Sequence, residues 1–517
     1  MLSSRPHLSA SVVLALVALL TVSGRAANKL VDSIAALQAG LAEAVAGDTL
    51  VVKNGVYTTN QAIAVNRSGT AGQPITITAE TVGGVEITGT NGFDVTGSAT
   101  NVVVSGFKFT HAAGTALIEE GTSQVRFSRN VFLCSGDGVF LTVSGDDAVI
   151  DYNEFGAKKT AGNMLGVSGT GGQVARRLWV HHNYFHDLAN GGSEGAQMLR
   201  LGLMSVHGQS VGAALVEYNL FSDCRGVTEL VSNRSSGNTY RYNTFIDSPT
   251  SQLTLRQGND SLVYGNYFRN TEGLRIYGDR HRVFSNYFES NHIAVAIGNG
   301  APDPTDGTSN KNDRPDDCVI AFNTFIENAT HYSMSRRSPE ALGATNTIFA
   351  NNLIQGGETA VKIAGPYPGA VWKANVIWQV RKIGDIPLDG FRQVDPLLVD
   401  PSPYDLQGAN AAVCARPDQL PLAQPVTGGV KHLQPGSPVA HAAIGEYPGV
   451  TFDLDGQPRP AIKSVGADEI SSAPVAAHLL AVREVGPNAP EATLDQGSAD
   501  APRPSEKSPE PAAPKSS

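Results

Sequence analysis

An asparagine followed two residues later by an aromatic or aliphatic residue, just after a short apolar run, recurs ten times along this chain. The pairs are Asn130/Phe132, Asn153/Phe155, Asn183/Phe185, Asn219/Phe221, Asn243/Phe245, Asn266/Phe268, Asn286/Phe288, Asn323/Phe325, Asn352/Ile354 and Asn375/Ile377. Successive asparagines lie 23, 30, 36, 24, 23, 20, 37, 29 and 23 residues apart. A base period of about 20 to 24 residues with loop insertions matches the coils of a parallel β-helix, each of which buries its apolar face against its neighbours. In such a stack the asparagines hydrogen-bond along a turn and the phenylalanines fill the interior. Propeller blades repeat at about 40 to 50 residues, which counts against that alternative.

Composition agrees, since 55 glycines with 41 % hydrophobic and 17 % charged residues suit a turn-rich all-β chain better than a helical one. The expected fold is therefore all-β, a single-domain right-handed parallel β-helix over residues 28–470. Short β-branched runs at 49–52, 75–78 and 85–88 begin it. Before them Leu30, Ile34, Leu37 and Leu41 recur at helical steps, which predicts a short N-terminal capping helix over 29–45. Beyond Asp395 the pattern loosens, and Phe452-Asp453-Leu454 with Ser464 to Ile470 reads as the closing segment of the solenoid. Seven prolines after residue 485 and few apolar residues mark 471–517 as a disordered tail.

Residues 1–27 read as a signal peptide, with Arg5 and His7 ahead of an apolar run from Val12 to Val22 and small residues at Ala26 and Ala27. That run is shorter than the roughly 20 residues of a spanning helix, so a secreted or periplasmic protein without stable membrane insertion is expected. Cys134, Cys224, Cys318 and Cys414 are widely spaced and lack the CxxC pattern of a zinc site, and the sequence leaves open whether they are buried thiols or bridged. The net charge of −10 argues against a nucleic-acid partner and requires that any polyanion be met by a local basic patch.

The densest basic stretch supplies one. Arg234, Arg256 and Arg275 are 22 and 19 residues apart, close to one coil each, and residues one coil apart stack at about 4.8 Å. Stacked guanidinium groups repel unless an anion bridges them, and their forked donors match a carboxylate or sulfate. Either an acidic polysaccharide fills that role, or each arginine pairs with a neighbour such as Glu229, Asp247 or Asp279. His281, in Gly278-Asp279-Arg280-His281-Arg282, is a further candidate for the same groove.

The segments Glu229-Leu230-Val231-Ser232-Asn233-Arg234-Ser235, Leu253-Thr254-Leu255-Arg256-Gln257-Gly258-Asn259 and Gly273-Leu274-Arg275-Ile276-Tyr277-Gly278 resemble polysaccharide lyase family 6, which contains alginate lyases and chondroitinase B. The stretch from Asn190-Gly191-Gly192 to Leu199-Arg200-Leu201-Gly202 is similar to the family too, and the resemblance runs from about Gly47 to Ile470. It implies β-elimination on a uronate polymer, most readily alginate, with Arg234 as base and Arg256 as acid. It also implies Arg200, Arg275, Tyr277 and His281 as substrate contacts, and Lys159 as a groove lysine and alternative base. Family members often neutralise the uronate carboxylate with Ca²⁺ held by Asn and Glu. Here Glu229 matches one ligand and Gln197 stands where Asn is usual, but Val227 replaces a second Glu, so Arg200, Arg234 or Arg256 are the alternative neutralising groups. Arg234 itself stands where the family has Lys, although a guanidinium is a weak base. A non-catalytic polysaccharide-binding β-helix, a dermatan sulfate lyase, and a glycoside hydrolase using Asp223 with Glu229 or Asp247 with Asp260 are the competing readings.

Overall fold

The computed structural model describes residues 26–491 apart from 113–115, 190–194, 205, 301–311, 335–341, 366, 400–428 and 448. The signal peptide reading, the Asn190-Gly191-Gly192 motif and Cys414 lie outside the described residues. Three long parallel sheets of 14, 14 and 13 strands stack coil upon coil, as the repeat requires of a parallel β-helix. The chain passes through a strand of each in turn, as in Thr49–Val52 (first sheet), Gly55–Thr59 (second) and Ile63–Val65 (third), before Ile75–Ala79 starts the next coil.

The asparagine ladder forms at the bend between the first and second sheets. Each Asn Nδ2, from Asn130 to Asn352, donates to the Oδ1 of the next ladder asparagine at 2.9–3.1 Å. The residue before every ladder asparagine has a left-handed backbone, for example Arg129, Tyr152, His182, Tyr218 and Tyr242, and at Gly265 a glycine takes that conformation. One strand step later the phenylalanines point inward and stack, with centroid separations of 4.7 Å for Phe132–Phe155 and 4.6 Å for Phe245–Phe268. The coil spacing of a parallel sheet, about 4.8 Å, is also a favourable ring-stacking distance, so one geometry satisfies both.

The N-terminal helix is shorter than the apolar pattern predicts. It spans Ile34–Glu43 with Ser33 accepting a hydrogen bond from Ala36 N at its N-terminus, and Leu37 and Leu41 are buried in the core. Leu30 belongs instead to the strand Asn28–Val31, which pairs with Thr49–Val52 and leaves Leu30 exposed. Cys134, Cys224 and Cys318 are buried free thiols.

The C-terminal region departs from expectation. Residues 429–491 do not close the solenoid end but run as a strap along the outer face of the second sheet, where Val430, Leu433, Leu454 and Val465 pack on Leu220, Ile246 and Tyr287. Ala467 N donates to Thr324 Oγ1 and Gly466 N to Asn351 O. Residues 471–491 belong to this strap rather than to a disordered tail, since Leu479, Leu480 and Val485 are buried and Arg129 donates to the carbonyls of Pro487 and Ala489. The remaining tail, 492–517, lies outside the described residues. Among the described residues no helix is long and apolar enough to cross a membrane.

Candidate active site

Four consecutive strands of the third sheet, Leu199–Leu201, Glu229–Arg234, Gln252–Gln257 and Leu274–Ile276, each carry one arginine: Arg200, Arg234, Arg256 and Arg275. Arg200 lies between buried Leu199 and Leu201, so the period of two turns it outward. Arg200, Ser232, Thr254 and Arg275 occupy one outward column, in register from coil to coil.

The other two arginines and Glu229 reach the same face through irregular pairing. Glu229 pairs with Gln252 while Val231 pairs with Leu253, so Leu230 is an extra residue and the carboxylate is re-aimed outward. Asn233 pairs with Leu255 and Arg234 with Gln257, so Arg256 is the extra residue on its strand. Arg234, Arg256 and Arg275 therefore do not form the single column that their spacing suggests. They converge because both irregularities flank Val231–Asn233. Gly202 lets the Arg234 backbone approach, since a Cβ there would meet the Arg234 carbonyl oxygen at 2.6 Å.

Glu229 is the hub. Its Oε1 accepts from Arg256 Nη1 at 2.6 Å and from Arg275 Nη2 at 3.0 Å, and its Oε2 lies 3.8 Å from Arg234 Nη2. Arg234 also donates through Nε to Ser232 Oγ at 3.0 Å. Burial would raise the Glu229 carboxyl, but Arg256, the Ser232 hydroxyl and Arg275 together hold it below the usual carboxylate range. Burial, reinforced by Arg256 and Arg200 and opposed by Glu229, pushes the Arg234 guanidinium down to about 10. Burial also lowers Arg200. Arg200 Nε and Arg256 Nε are buried with no hydrogen-bond partner among the described residues. Three guanidinium groups around one carboxylate, with Arg200 on the adjoining strand and two such donors, form a built anion site.

Other sequence candidates lie elsewhere. Tyr277 is buried beneath Arg275, whose guanidinium sits 5.6 Å from the ring centre, so it supports that arginine instead of meeting substrate. His281 is completely buried, with Nδ1 accepting from Ser261 N and Nε2 at 2.9 Å from Tyr277 O, and burial pushes it down to about 4. It is a core histidine. Lys159 points to solvent, whereas its neighbour Lys158, which the sequence reading passed over, is buried with its ammonium on Gly138 O and Thr160 Oγ1. Burial pushes Lys158 down to about 8, but its coil is two away from that of Glu229, an offset of about 10 Å along the helix axis alone. Nothing in its sequence context distinguishes it from Lys159; only the inward turn of the chain does.

The residues do not fit a calcium ion. Glu229 already has three guanidinium groups, Val227 contributes no side-chain oxygen, and the buried Gln197 Oε1 is a single neutral ligand atom with no hydrogen-bond partner among the described residues. A dication in that field is repelled, where calcium needs six to eight oxygens with net negative charge. Of the carboxylates that a hydrolase would use, Asp223 pairs with Arg225, Asp247 with Asn270 and Arg269, and Asp260 with Arg280, so each is already engaged by a neighbouring donor.

The chondroitinase B family model matches residues 31–341. Among solved structures the chain is similar to the PL6 family alginate lyase AlyGC, at 26 % identity and a TM-score of 0.64, over 72 % of this chain and 54 % of that one. It is also similar to a mannuronic acid specific polysaccharide family 6 lyase from human gut microbiota, at 22 % identity and a TM-score of 0.60, over 71 % of this chain and 91 % of that one. A third is the PL6 family polysaccharide lyase Pedsa3628 from Pseudopedobacter saltans, at 17 % identity and a TM-score of 0.56, over 68 % and 92 %. The latter two likenesses concern the fold alone. The chain spans about half the length of AlyGC. No curated protein matches the sequence.

Proposed function

Because the chain belongs to the chondroitinase B family, polysaccharide lyase family 6, we propose that it is a lyase that cleaves a uronate polymer, alginate, by β-elimination. The observation that carries this reading is the gathering of Arg234, Arg256 and Arg275 around Glu229, with Arg200 on the adjoining strand and two buried guanidinium nitrogens left to donate. The likeness to an alginate lyase at 26 % identity supports the choice of polymer.

The difficult step is loss of the C5 proton beside a carboxylate. Arg200 and Arg275, on the outward column, neutralise that carboxylate and stabilise the charge that develops on it, the role that preorganised donors fill in a dry site. Arg234, in its neutral form, takes the C5 proton. The C4–C5 double bond forms as the C4–O bond breaks, and Arg256 donates a proton to the departing oxygen. Glu229 is a positioning residue: it fixes Arg256 and Arg275 and offsets part of their mutual repulsion.

Export on residues 1–27 into the periplasm or medium belongs to the same proposal, and the N-terminal sequence of the mature protein tests it. The activity test is incubation of purified protein with alginate, dermatan sulfate and pectate. Ultraviolet absorbance of unsaturated ends is expected to rise with alginate. A rise on dermatan sulfate alone would reassign the polymer. Binding without absorbance on any of the three would make this a polysaccharide-binding β-helix, and new reducing ends without absorbance would make it a hydrolase.

A further inference from the structure

A second charged cluster lies away from the arginines, in the C-terminal strap. His432 belongs to the short strand His432–Leu433, Asp455 to the turn 453–457, and Asp468 to the segment 464–469. One ligand atom from each lies within 4.8 Å of the others, and His432 Nε2 is 3.0 Å from Asp455 Oδ2. We propose that His432, Asp455 and Asp468 bind one divalent metal ion of the zinc or manganese class, which fastens the strap to itself.

The hydrogen bonds separate ligands from scaffolding. Asp453 is fully used: its Oδ1 accepts from Asp455 N and Gln457 N, and its Oδ2 from Glu469 N. Arg459 is neutralised by Glu469, both completely buried, at 2.7 Å. Asp468 is 5 % exposed and accepts one hydrogen bond, from Leu433 N on Oδ2. One of its carboxylate oxygens lies within 4.8 Å of the ligand atoms of His432 and Asp455. Asp455 and Asp468 are both buried and lie within 4.8 Å of one another, and a cation between them would offset the cost of burying two carboxylates together.

One imidazole nitrogen and two carboxylates match zinc or manganese better than calcium, which takes oxygen ligands alone. Ligands at about 2.1 Å from a tetrahedral ion stand about 3.4 Å apart, so the observed spacing needs only small adjustment. The His432 side chain is 30 % exposed, which leaves solvent access for the ion and for a water in a fourth position. The ion would join three segments whose Leu433, Leu454 and Val465 hold the strap on the second sheet.

The test uses the full chain, stripped with a chelator and titrated calorimetrically with Zn²⁺, Mn²⁺ and Ca²⁺. One equivalent of Zn²⁺ or Mn²⁺ should bind more tightly than Ca²⁺ and raise the melting temperature by several degrees. His432→Ala, a substitution at the rim, and Asp468→Asn, which keeps the shape of the buried group, should each lose that step. Failure of the native chain to take up any metal stoichiometrically would overturn the proposal. So would uptake that persists undiminished in both variants. The readouts are binding and melting, so they stand apart from the lyase assay.

Discussion

Arg256 Nη1 donates to Glu229 Oε1 at 2.6 Å, although the two residues are 27 positions apart and a register irregularity separates their strands. This contact ties the proposed acid to a carboxylate that also holds Arg275, so that one buried anion organises a field of cations. Glu229→Gln would leave the arginines unbalanced in a partly dry site. Urea unfolding should report a loss of roughly 3 kcal/mol, the size typical of removing one partner of a buried pair. An unchanged midpoint would mean that the cluster is held by other contacts.

Arg256→Ala should reduce kcat on alginate by about a thousandfold, within the range of a lost general acid. The fold should survive, because Arg256 is an extra residue outside the regular pairing. Circular dichroism and melting would check that point, and retained turnover would remove Arg256 from the mechanism.

The lowered Arg234 guanidinium sets a pH dependence. A base must be neutral to accept a proton, and with a pKa of about 10 about one Arg234 in a hundred is neutral at pH 8. The rate, read as kcat/KM, should therefore rise about tenfold per pH unit below that and flatten towards pH 10. Arg234→Lys should keep activity and flatten at lower pH, since burial lowers an amine further. A flat native profile between pH 6 and 9 would exclude Arg234 as base.

Chelation separates the two charged clusters. The arginine cluster does not fit calcium, so EDTA should leave the initial rate within about twofold at temperatures well below melting. Strong inhibition there would show that Gln197 and Glu229 do hold a metal.

The asparagine ladder carries stability along the solenoid from Asn130 to Asn375. Asn243 Oδ1 accepts from both the backbone and side-chain nitrogens of Asn219, while its Nδ2 donates to Val216 O, Arg241 O and Asn266 Oδ1. Asn243→Ala strands several buried groups and should cost about 3 kcal/mol, at the upper end for a single unsatisfied site. Denaturant midpoints would measure it.

The ladder and the phenylalanine stack were legible in the sequence because every coil repeats the same local demand, a bend and then an inward ring. The arginines were legible as one per coil. Tyr277 and His281 were misread because the Gly273 to Arg282 stretch carries the same residue types whether a side chain faces the groove or the core. The strap was misread because residues 429–491 have no period, and their burial depends on an apolar outer face, Leu220, Ile246 and Tyr287, contributed from far earlier in the chain.

By itself the sequence determined the coil period, the parallel β-helix and the placing of Arg234, Arg256 and Arg275 on three successive coils. Only the tertiary structure decided which atom those charges meet. An extra residue at Leu230 turns Glu229 outward, and an extra residue at Arg256 brings that side chain alongside it. In a strand one such step exchanges the buried face for the exposed one, and its position is fixed by pairing with the next coil, which no local run of residues encodes.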